Sequence, residues 1–481
     1  MALSKINPSK LDVWSKLKRQ FQLESNYHLL DFFQEKDRLK DFTINEGNFY
    51  VDFSKNRLSK KTLNLLINLC DKTDLKSNID KYFKGLIINE TENRAVTHTS
   101  LRSIEKSDSV ASTLDKIKNI SNEINNGKRK GFTGKKFTDI VNIGIGGSHL
   151  GPEMVTRSLS FYSLGIKPHY ISNIDSDFTN QVLEKLDPET TIFIIVSKTF
   201  TTIETIKNAE KAKNWFLEKT NIKSIEDHFI AVSNNIESPE KFGINKENIL
   251  RIPESVGGRF SLWGSVGLII AVVIGYNNFE KFQNGAELMD QHFKNTSFEK
   301  NIPVVLALIS IWYNNFFKYE TEAVLPYSQF LDKLPDYLQQ VSMESNGKNI
   351  DRNGNRVDYE TGSIIWGSTG TNAQHAFFQL MHQGTKIIPA DFIAFKNTMS
   401  EDKLNNETLN SNFLAQTNAL MRGNLHSTKD AHKNIEGNKP STSIVINKLN
   451  PSNLGSLISI YENKIFTIGS ILNIYSYDQW G

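Results

Sequence analysis

The sequence predicts an α/β protein with two doubly wound parallel sheets and flanking helices. Short runs of β-forming residues alternate with longer helical runs twice along the chain, first from residue 137 onward and again after residue 320. Alternation of this kind is typical of βαβ units, whose parallel sheet is covered on both faces. The length of 481 residues also favours more than one domain.

The two runs provide the candidate strands and helices. In the first run, strands are expected at 139–143, 167–171, 191–196 and 228–232, and helices at 178–186 and 202–217. In the second run, strands are expected at 322–325, 362–366, 386–390 and 443–446, and helices at 332–344, 372–382 and 410–421.

The chain before residue 100 differs from both runs. Apolar residues there recur at helical spacing, as in Trp14, Leu17 and Phe21. We therefore expect an N-terminal helical segment at 1–100 that packs with the large domain. A small domain is expected at 101–274 and a large one at 275–481.

Composition narrows the class of protein. The net charge of +3 is spread along the chain and does not favour nucleic-acid binding. Cys70 is the only cysteine, so no internal disulfide can form, which fits a reducing compartment. The first residues lack the apolar stretch of a secretory signal. The longest apolar run, 262–276, is shorter than the ~20 residues of a membrane span and predicts a buried helix. We expect a cytoplasmic protein without membrane contact.

The first candidate motif is Gly144-Ile145-Gly146-Gly147-Ser148, between a strand and a helix. Glycines let the backbone approach a ligand closely, and a helix N-terminus favours an anion. A dinucleotide fingerprint would have a third glycine where His149 stands. A tight turn without a ligand stays the alternative.

The second candidate, Ser197-Lys198-Thr199-Phe200-Thr201-Thr202, also joins a strand to a helix. Hydroxyls, free backbone N–H groups and a cation at a helix N-terminus suit a phosphate. The spacing is not that of a Walker loop. Ordinary capping by Thr201 or Thr202 is the alternative, but it needs only one hydroxyl, so the density favours an anion site.

The third candidate is Arg259, which follows Gly257 and Gly258. An arginine placed by a flexible turn can stabilise developing negative charge in a pocket. Local sequence does not separate this reading from a surface arginine after a Gly-Gly turn.

The fourth candidate pairs Gln340 with Glu344, four residues apart on one helix face. Gly347 is expected to end the helix, so Glu344 would lie in its last turn. A partly desolvated carboxylate there can act as a base. An exposed ion pair between Glu344 and Lys348 is the commoner arrangement for such a spacing.

The fifth candidate is His375, expected near the start of a helix capped by Asn372. Histidine can move a proton near neutral pH, although one near a helix start is usually structural. His382 follows on the same predicted face. No HExxH or other zinc spacing occurs, and no metal site is expected.

Together and in this order, the five segments resemble the glucose-6-phosphate isomerase family. The resemblance extends to Thr91-Glu92-Asn93-Arg94-Ala95-Val96, to Ile311-Trp312-Tyr313 and to the final Tyr477-Asp478-Gln479-Trp480-Gly481. It implies two SIS-type domains and reversible isomerisation of glucose 6-phosphate and fructose 6-phosphate through an enediolate, in glycolysis and gluconeogenesis.

The resemblance also implies roles for residues. Glu344 would move a proton between C2 and C1, Arg259 would stabilise the enediolate, and His375 would help to open the ring from the partner subunit of a homodimer. The implied substrate-binding residues are Gly147 and Ser148 for the sugar, Ser197, Lys198, Thr199 and Thr202 for the phosphate, and Gln340 and Gln479 for the pocket wall. No metal or redox cofactor is expected.

The resemblance also raises a question about the end of the chain. In the family, the Gln-Trp-Gly segment continues into Val-Glu-Leu-Gly-Lys and a helical arm, so we expect a truncation after Gly481 that impairs ring opening and the dimer. A non-catalytic module that binds sugar phosphate is the alternative function. The isomerase half of an aminosugar synthase is disfavoured, because position 2 is Ala2 rather than a nucleophilic cysteine.

Overall fold

The computed structural model describes residues 2–400, 402–425 and 428–479. The chain divides into two units, Arg94–Glu287 and the combination of Met1–Asn93 with Leu288–Gly481. We refer to them as the central unit and the discontinuous unit. The domain limits drawn from the sequence, at 100/101 and 274/275, stay a prediction.

Helices cover much of both units. In chain order they are α1 (Asp12–Glu24), α2 (Arg38–Asp41), α3 (Lys60–Lys72), α4 (Leu75–Phe83), α5 (Asp108–Asn125), α6 (Leu150–Ser158), α7 (Ser176–Leu183), α8 (Ile203–Thr220), α9 (Glu237–Phe242), α10 (Leu268–Ile274), α11 (Tyr276–Asn295), α12 (Ile302–Trp312), α13 (Leu334–Gln339), α14 (Gly370–Gln374), α15 (Phe378–Gln383), α16 (Lys403–Arg422) and α17 (Pro451–Ile471).

The strands are short, as in most α/β proteins. In chain order they are β1 (Thr43–Glu46), β2 (Phe49–Asp52), β3 (Ile87–Asn89), β4 (Arg94–Ala95), β5 (Asp139–Ile143), β6 (Lys167–Ile171), β7 (Thr191–Val196), β8 (Phe229–Val232), β9 (Ile249–Leu250), β10 (Thr321–Pro326), β11 (Ile364–Gly367), β12 (Ala390–Asn397) and β13 (Ser441–Lys448).

The central unit contains a parallel sheet of order β6-β5-β7-β8-β9. Its strands confirm the prediction almost residue for residue, because each is a local apolar run bounded by turn residues. All of β7 is buried, as expected for a strand with both faces covered. The core includes Phe193, Phe216 and Phe229, which pack as neighbouring rings. The sheet is doubly wound, with its connections reversing direction between β5 and β7.

The discontinuous unit has a mixed sheet of order β1-β2-β13-β12-β10-β11. Strands β10 to β13 are parallel, and the hairpin β1–β2 adds to β13 in antiparallel register. The N-terminal segment is helical over much of its length, as predicted, but the hairpin at 43–52 was not predicted. Glu46 pairs with Phe49 across a two-residue turn in which Gly47 has φ +54°, a tight hairpin connection.

Several other predictions for this unit need correction. The strand expected at 386–390 begins only at Ala390, since Pro389 has no N–H for the ladder. The helix expected at 372–382 is two helices, α14 and α15. The helix expected at 410–421 already begins at Lys403, capped by Asp402.

Buried helices complete both cores. Every residue of α12 is buried, and so is nearly every residue of α17, which packs against it. The apolar run at 262–276 is confirmed as buried, with its regular helix limited to α10. Across residues 2–400, 402–425 and 428–479, no helix is long and apolar enough to cross a membrane.

Candidate functional site

Two of the candidate motifs lie at the point where the central sheet reverses direction. The segment 144–148 follows β5, and the segment 197–202 follows β7, and these strands are neighbours in the sheet. The carboxyl ends of two strands at such a switch point open a crevice in doubly wound sheets. The fold therefore brings both motifs to the place where ligands bind in this architecture.

The turn after β5 depends on glycine. Gly146 has φ +59°, and the amide of Asn142 donates to the Ser148 carbonyl at 2.9 Å. A Cβ on Gly147 would overlap the carbonyl of Gly258 and lie 2.5 Å from the Arg259 nitrogen. Gly147 therefore permits close backbone packing against the loop that carries Arg259, a role that the sequence did not reveal.

The turn after β7 holds several hydroxyls together. Ser197 Oγ donates to Thr202 Oγ1 at 3.2 Å, and the hydroxyls of Thr199 and Thr201 are 2.6 Å apart. Thr202 is the N-cap residue of α8, but among the described residues its side chain makes no capping hydrogen bond. The Thr202 side chain therefore does not cap α8, and the first N–H groups of the helix keep their capacity for an anion.

A strained residue shapes this turn. Phe200 is buried and has φ +57°, a conformation that is uncommon for a bulky side chain. Its ring belongs to the core around β7 and α8. Backbone strain held by core packing is a frequent feature of functional loops.

Lys198 connects this turn to the Arg259 loop. Its Nζ donates to the carbonyl oxygens of Glu254 at 3.0 Å and Val256 at 3.2 Å. Within the central unit, the contacts thus join three of the candidate segments: the glycine turn, the hydroxyl turn and the arginine loop.

Arg259 is not a surface residue, because only 2% of it is exposed. It lies in the 3₁₀ turn Gly258–Trp263, with its guanidinium carbon 5.4 Å from the Phe260 ring centre. His98 stacks on the same aromatic ring, with 4.6 Å between the His98 and Phe260 ring centres. Burial lowers the pKa of His98 well below its usual value, and the charges of Arg102 and Arg259 lower it further. His98 is thus neutral beside a buried cation.

In the discontinuous unit, Gln340 and Glu344 bound a π-helical turn that continues α13. The sequence predicted one regular helix at 332–344, whereas the structure has α13 followed by this wider π turn. Single π turns inside α-helices often mark functional sites. Glu344 is partly buried, and the Oε1 atom of Gln340 is buried without a hydrogen-bond partner among the described residues. A partly buried carboxylate and an unpaired amide oxygen on the same turn are suited to contacting a polar ligand.

The segment that carries Gln479 is attached to the loop after Glu344. The Lys348 ammonium donates to the carbonyl oxygens of Tyr475 and of Asp478, the latter at 2.6 Å. Gln479 itself is exposed, and its N–H donates to a carboxylate oxygen of Glu92 at 3.1 Å. Lys348 therefore binds the C-terminal segment, a contact that neither reading of the Glu344 motif included.

His375 occupies the C-cap of α14, so the expectation of a helix start capped by Asn372 is wrong. Asn372 lies inside α14 and donates to Gln329 and Thr369. His375 is exposed. His382 belongs to α15 and contacts Gln416 at 2.7 Å, so it does not share a helix with His375.

Two features escaped the sequence analysis. One is His98, a lone histidine whose ring packing becomes visible only in the fold. The other is Tyr337, whose hydroxyl donates to Glu462 just before the π turn. No local sequence signal marks either residue, because His98 packs on Phe260 and Tyr337 donates to Glu462, and both partners are distant in sequence. Across the described ranges, no group of three or more His, Cys, Asp or Glu residues has a metal-binding arrangement.

The family model and the similar sequences all indicate the same enzyme family. The phosphoglucose isomerase family model matches residues 52–481. The chain is 51% identical to the glucose-6-phosphate isomerase of Christiangramia forsetii and 50% identical to that of Buchnera aphidicola subsp. Schizaphis graminum. Both alignments cover all of this chain and 93% and 92% of the relatives.

Solved structures agree with the sequence comparison. The crystal structure of a glucose-6-phosphate isomerase from Chlamydia trachomatis superposes with a TM-score of 0.89 at 29% identity, over 98% of this chain and 93% of that one. A hypothetical protein from Thermus thermophilus, with a TM-score of 0.65 at 20% identity, shares the fold. The chain belongs to the phosphoglucose isomerase family.

Proposed function

We propose that Glu344 is the base in the aldose–ketose isomerisation of glucose 6-phosphate and fructose 6-phosphate that this family member catalyses. The reaction removes a proton from the carbon next to a carbonyl and returns it to the neighbouring carbon. A carboxylate can do both, provided that it is partly desolvated and held in one orientation. The observation that carries the proposal is the partly buried position of Glu344 in the π turn that continues α13.

Arg259 stabilises the enediolate in this proposal. Negative charge develops on the substrate oxygens as the proton leaves, and a preorganised cation in a low-dielectric site stabilises it strongly. The Arg259 side chain is buried and stays charged, because arginine does not lose its proton in proteins. The neutral His98 adds no competing charge beside it.

The substrate phosphate binds the turn after β7 in this proposal. Ser197, Thr199 and Thr202 provide hydroxyls, Lys198 a cation, and the start of α8 backbone donors. A phosphate remote from the reacting carbons can hold the sugar in register. Further contacts to the sugar are assigned to Gly147, Ser148, Gln340 and Gln479. The mechanism requires no metal or redox cofactor.

Ring opening is assigned to His375, acting in a homodimer in the cytoplasm. Its exposed position at the C-cap of α14 leaves the imidazole accessible to a second copy of the chain. An imidazole ring can both accept and donate a proton at its nitrogens, which is what ring opening requires.

The test is Glu344→Gln, which keeps the shape of the side chain but not its basicity. Wild-type enzyme in deuterium oxide should interconvert the two sugar phosphates and exchange the transferred proton. Glu344→Gln should lose about 10³-fold or more in both rates while it still binds substrate. Glu360→Gln removes a carboxylate paired at the surface with Lys318 and is the matched control. Exchange by Glu344→Gln at a tenth of the wild-type rate or faster would reject Glu344 as the base.

A further inference from the structure

Helix α17 contacts the segment that carries Glu344 on both sides of the π turn. Before the turn, the Tyr337 hydroxyl donates to Glu462 Oε1 at 3.2 Å. After the turn, the Asn346 amide donates to the Ile465 carbonyl at 3.1 Å. Tyr337, Asn346 and Glu462 are all at most 1% exposed. Both contacts are therefore shielded from water, and a hydrogen bond in such surroundings is electrostatically stronger than one in solvent.

The second contact is built from three parts of the chain. Ser476 Oγ donates to Asn346 Oδ1 at 2.8 Å, while the same amide donates to α17. Gly469 makes room for this arrangement, because a Cβ there would overlap Ser476 Oγ and lie 3.1 Å from Asn346 Oδ1. A glycine inside a helix is less favourable than alanine by about 1 kcal/mol. The close approach of Ser476 to α17 explains why a glycine is present at position 469.

We propose that α17 positions the Glu344 carboxylate through these two anchors, with Tyr337 and Glu462 as positioning residues. A π turn is less stable than α-helix, and relaxing it would rotate the following residues by about 100° about the axis. A π turn contains one residue more than an α-helical turn. The two hydrogen bonds to α17, one on each side of the turn, hold the chain in this wider conformation. The inference rests on the proposed role of Glu344 as the base.

The test compares two buried tyrosines. Tyr337→Phe removes the hydroxyl that reaches Glu462. Tyr461→Phe, on α17 itself, removes a buried hydroxyl that donates to Asp391 at 3.1 Å and does not contact the π turn. Both variants lose a similar buried hydrogen bond, so their melting temperatures should fall by similar amounts.

The kinetic constants of the two variants should differ. Tyr337→Phe should lower kcat about tenfold or more with KM within threefold, because a displacement of the base on the ångström scale slows proton transfer without weakening phosphate binding. Tyr461→Phe should keep kcat within twofold. Glu462→Gln, which retains the acceptor for Tyr337, should keep more activity than Glu462→Leu. Equal kcat for the two Tyr→Phe variants, or equal activity of Glu462→Gln and Glu462→Leu, would overturn the inference.

The Glu344→Gln variant shows whether a negative result concerns the positioning role of α17 or the proposed role of Glu344 as the base. If Glu344→Gln is inactive and Tyr337→Phe equals wild type, only the positioning role is wrong. If Glu344→Gln still exchanges the proton, the assignment of the base is wrong, and the positioning role is wrong with it.

Discussion

Replacing Gly147 by alanine should displace the loop that carries Arg259 and so lower the activity, although the Arg259 side chain itself is unchanged. The added Cβ would lie 2.5 Å from the Arg259 nitrogen, whereas ordinary contacts to a Cβ begin near 3.4 Å. The neighbouring atoms are backbone and cannot rotate away, so the arginine loop must move by about 1 Å. A displacement of that size at a reacting centre costs about 10²-fold in rate, or about 2.7 kcal/mol.

The assay is the conversion of fructose 6-phosphate, coupled to a dehydrogenase that consumes glucose 6-phosphate. We expect kcat for Gly147→Ala to fall about 100-fold. The overpacking should also lower stability by about 1–3 kcal/mol, a loss visible as a lower melting temperature. Gly257→Ala is the matched control, because its Cβ would meet nothing closer than Phe260 at 3.7 Å. A Gly147→Ala enzyme with kcat within threefold of wild type would refute the reasoning.

Three further predictions concern buried or bound charge. Lys464→Met removes the ammonium that lies 2.8 Å from the largely buried Glu322 carboxylate. This loss should destabilise the enzyme by about 3–5 kcal/mol in urea unfolding, and adding Glu322→Gln should recover most of it. The pKa of His98 is lowered in the folded protein, so as the pH falls the unfolded chain takes up the His98 proton before the folded one does. Below about pH 6.5 the unfolding free energy of the wild type should therefore fall more steeply with decreasing pH than that of His98→Gln, by up to about 1.4 kcal/mol per pH unit. The measurement is the unfolding free energy of both proteins as a function of pH. Lys198→Met should raise KM for fructose 6-phosphate about tenfold, whereas Lys207→Met, which changes an exposed lysine, should leave KM unchanged. A fall in kcat alone would instead indicate that Lys198 only holds the arginine loop in place.

The parts of this enzyme that the sequence predicts are those with local causes. Strands β5, β6 and β7 begin and end where apolar runs meet turn residues, so their limits are predicted to the residue. The glycine and hydroxyl turns could be placed at strand ends for the same reason. The chemistry expected of Glu344 and Arg259 also follows from residue type.

The remaining features depend on residues that are distant in sequence. The hairpin at 43–52 is stabilised as strand because β13 pairs with it, and helical spacing on either side hid its turn. The π turn at Gln340 and the burial of Arg259 depend on packing that no window of sequence contains. The same is true of Tyr337 and Glu462, which are joined only once α17 is in place.

The pairing of β2 with β13 has a consequence for synthesis on the ribosome. Val51 and Ile444 are register partners although roughly 390 residues separate them, so the N-terminal hairpin must wait for nearly the whole chain before its edge is covered. The central unit is continuous in sequence and can fold during that wait. An early chain release would thus leave a folded central unit beside an unpaired strand edge, the kind of surface on which aggregation begins. Chaperone demand should therefore be concentrated in the last stage of translation.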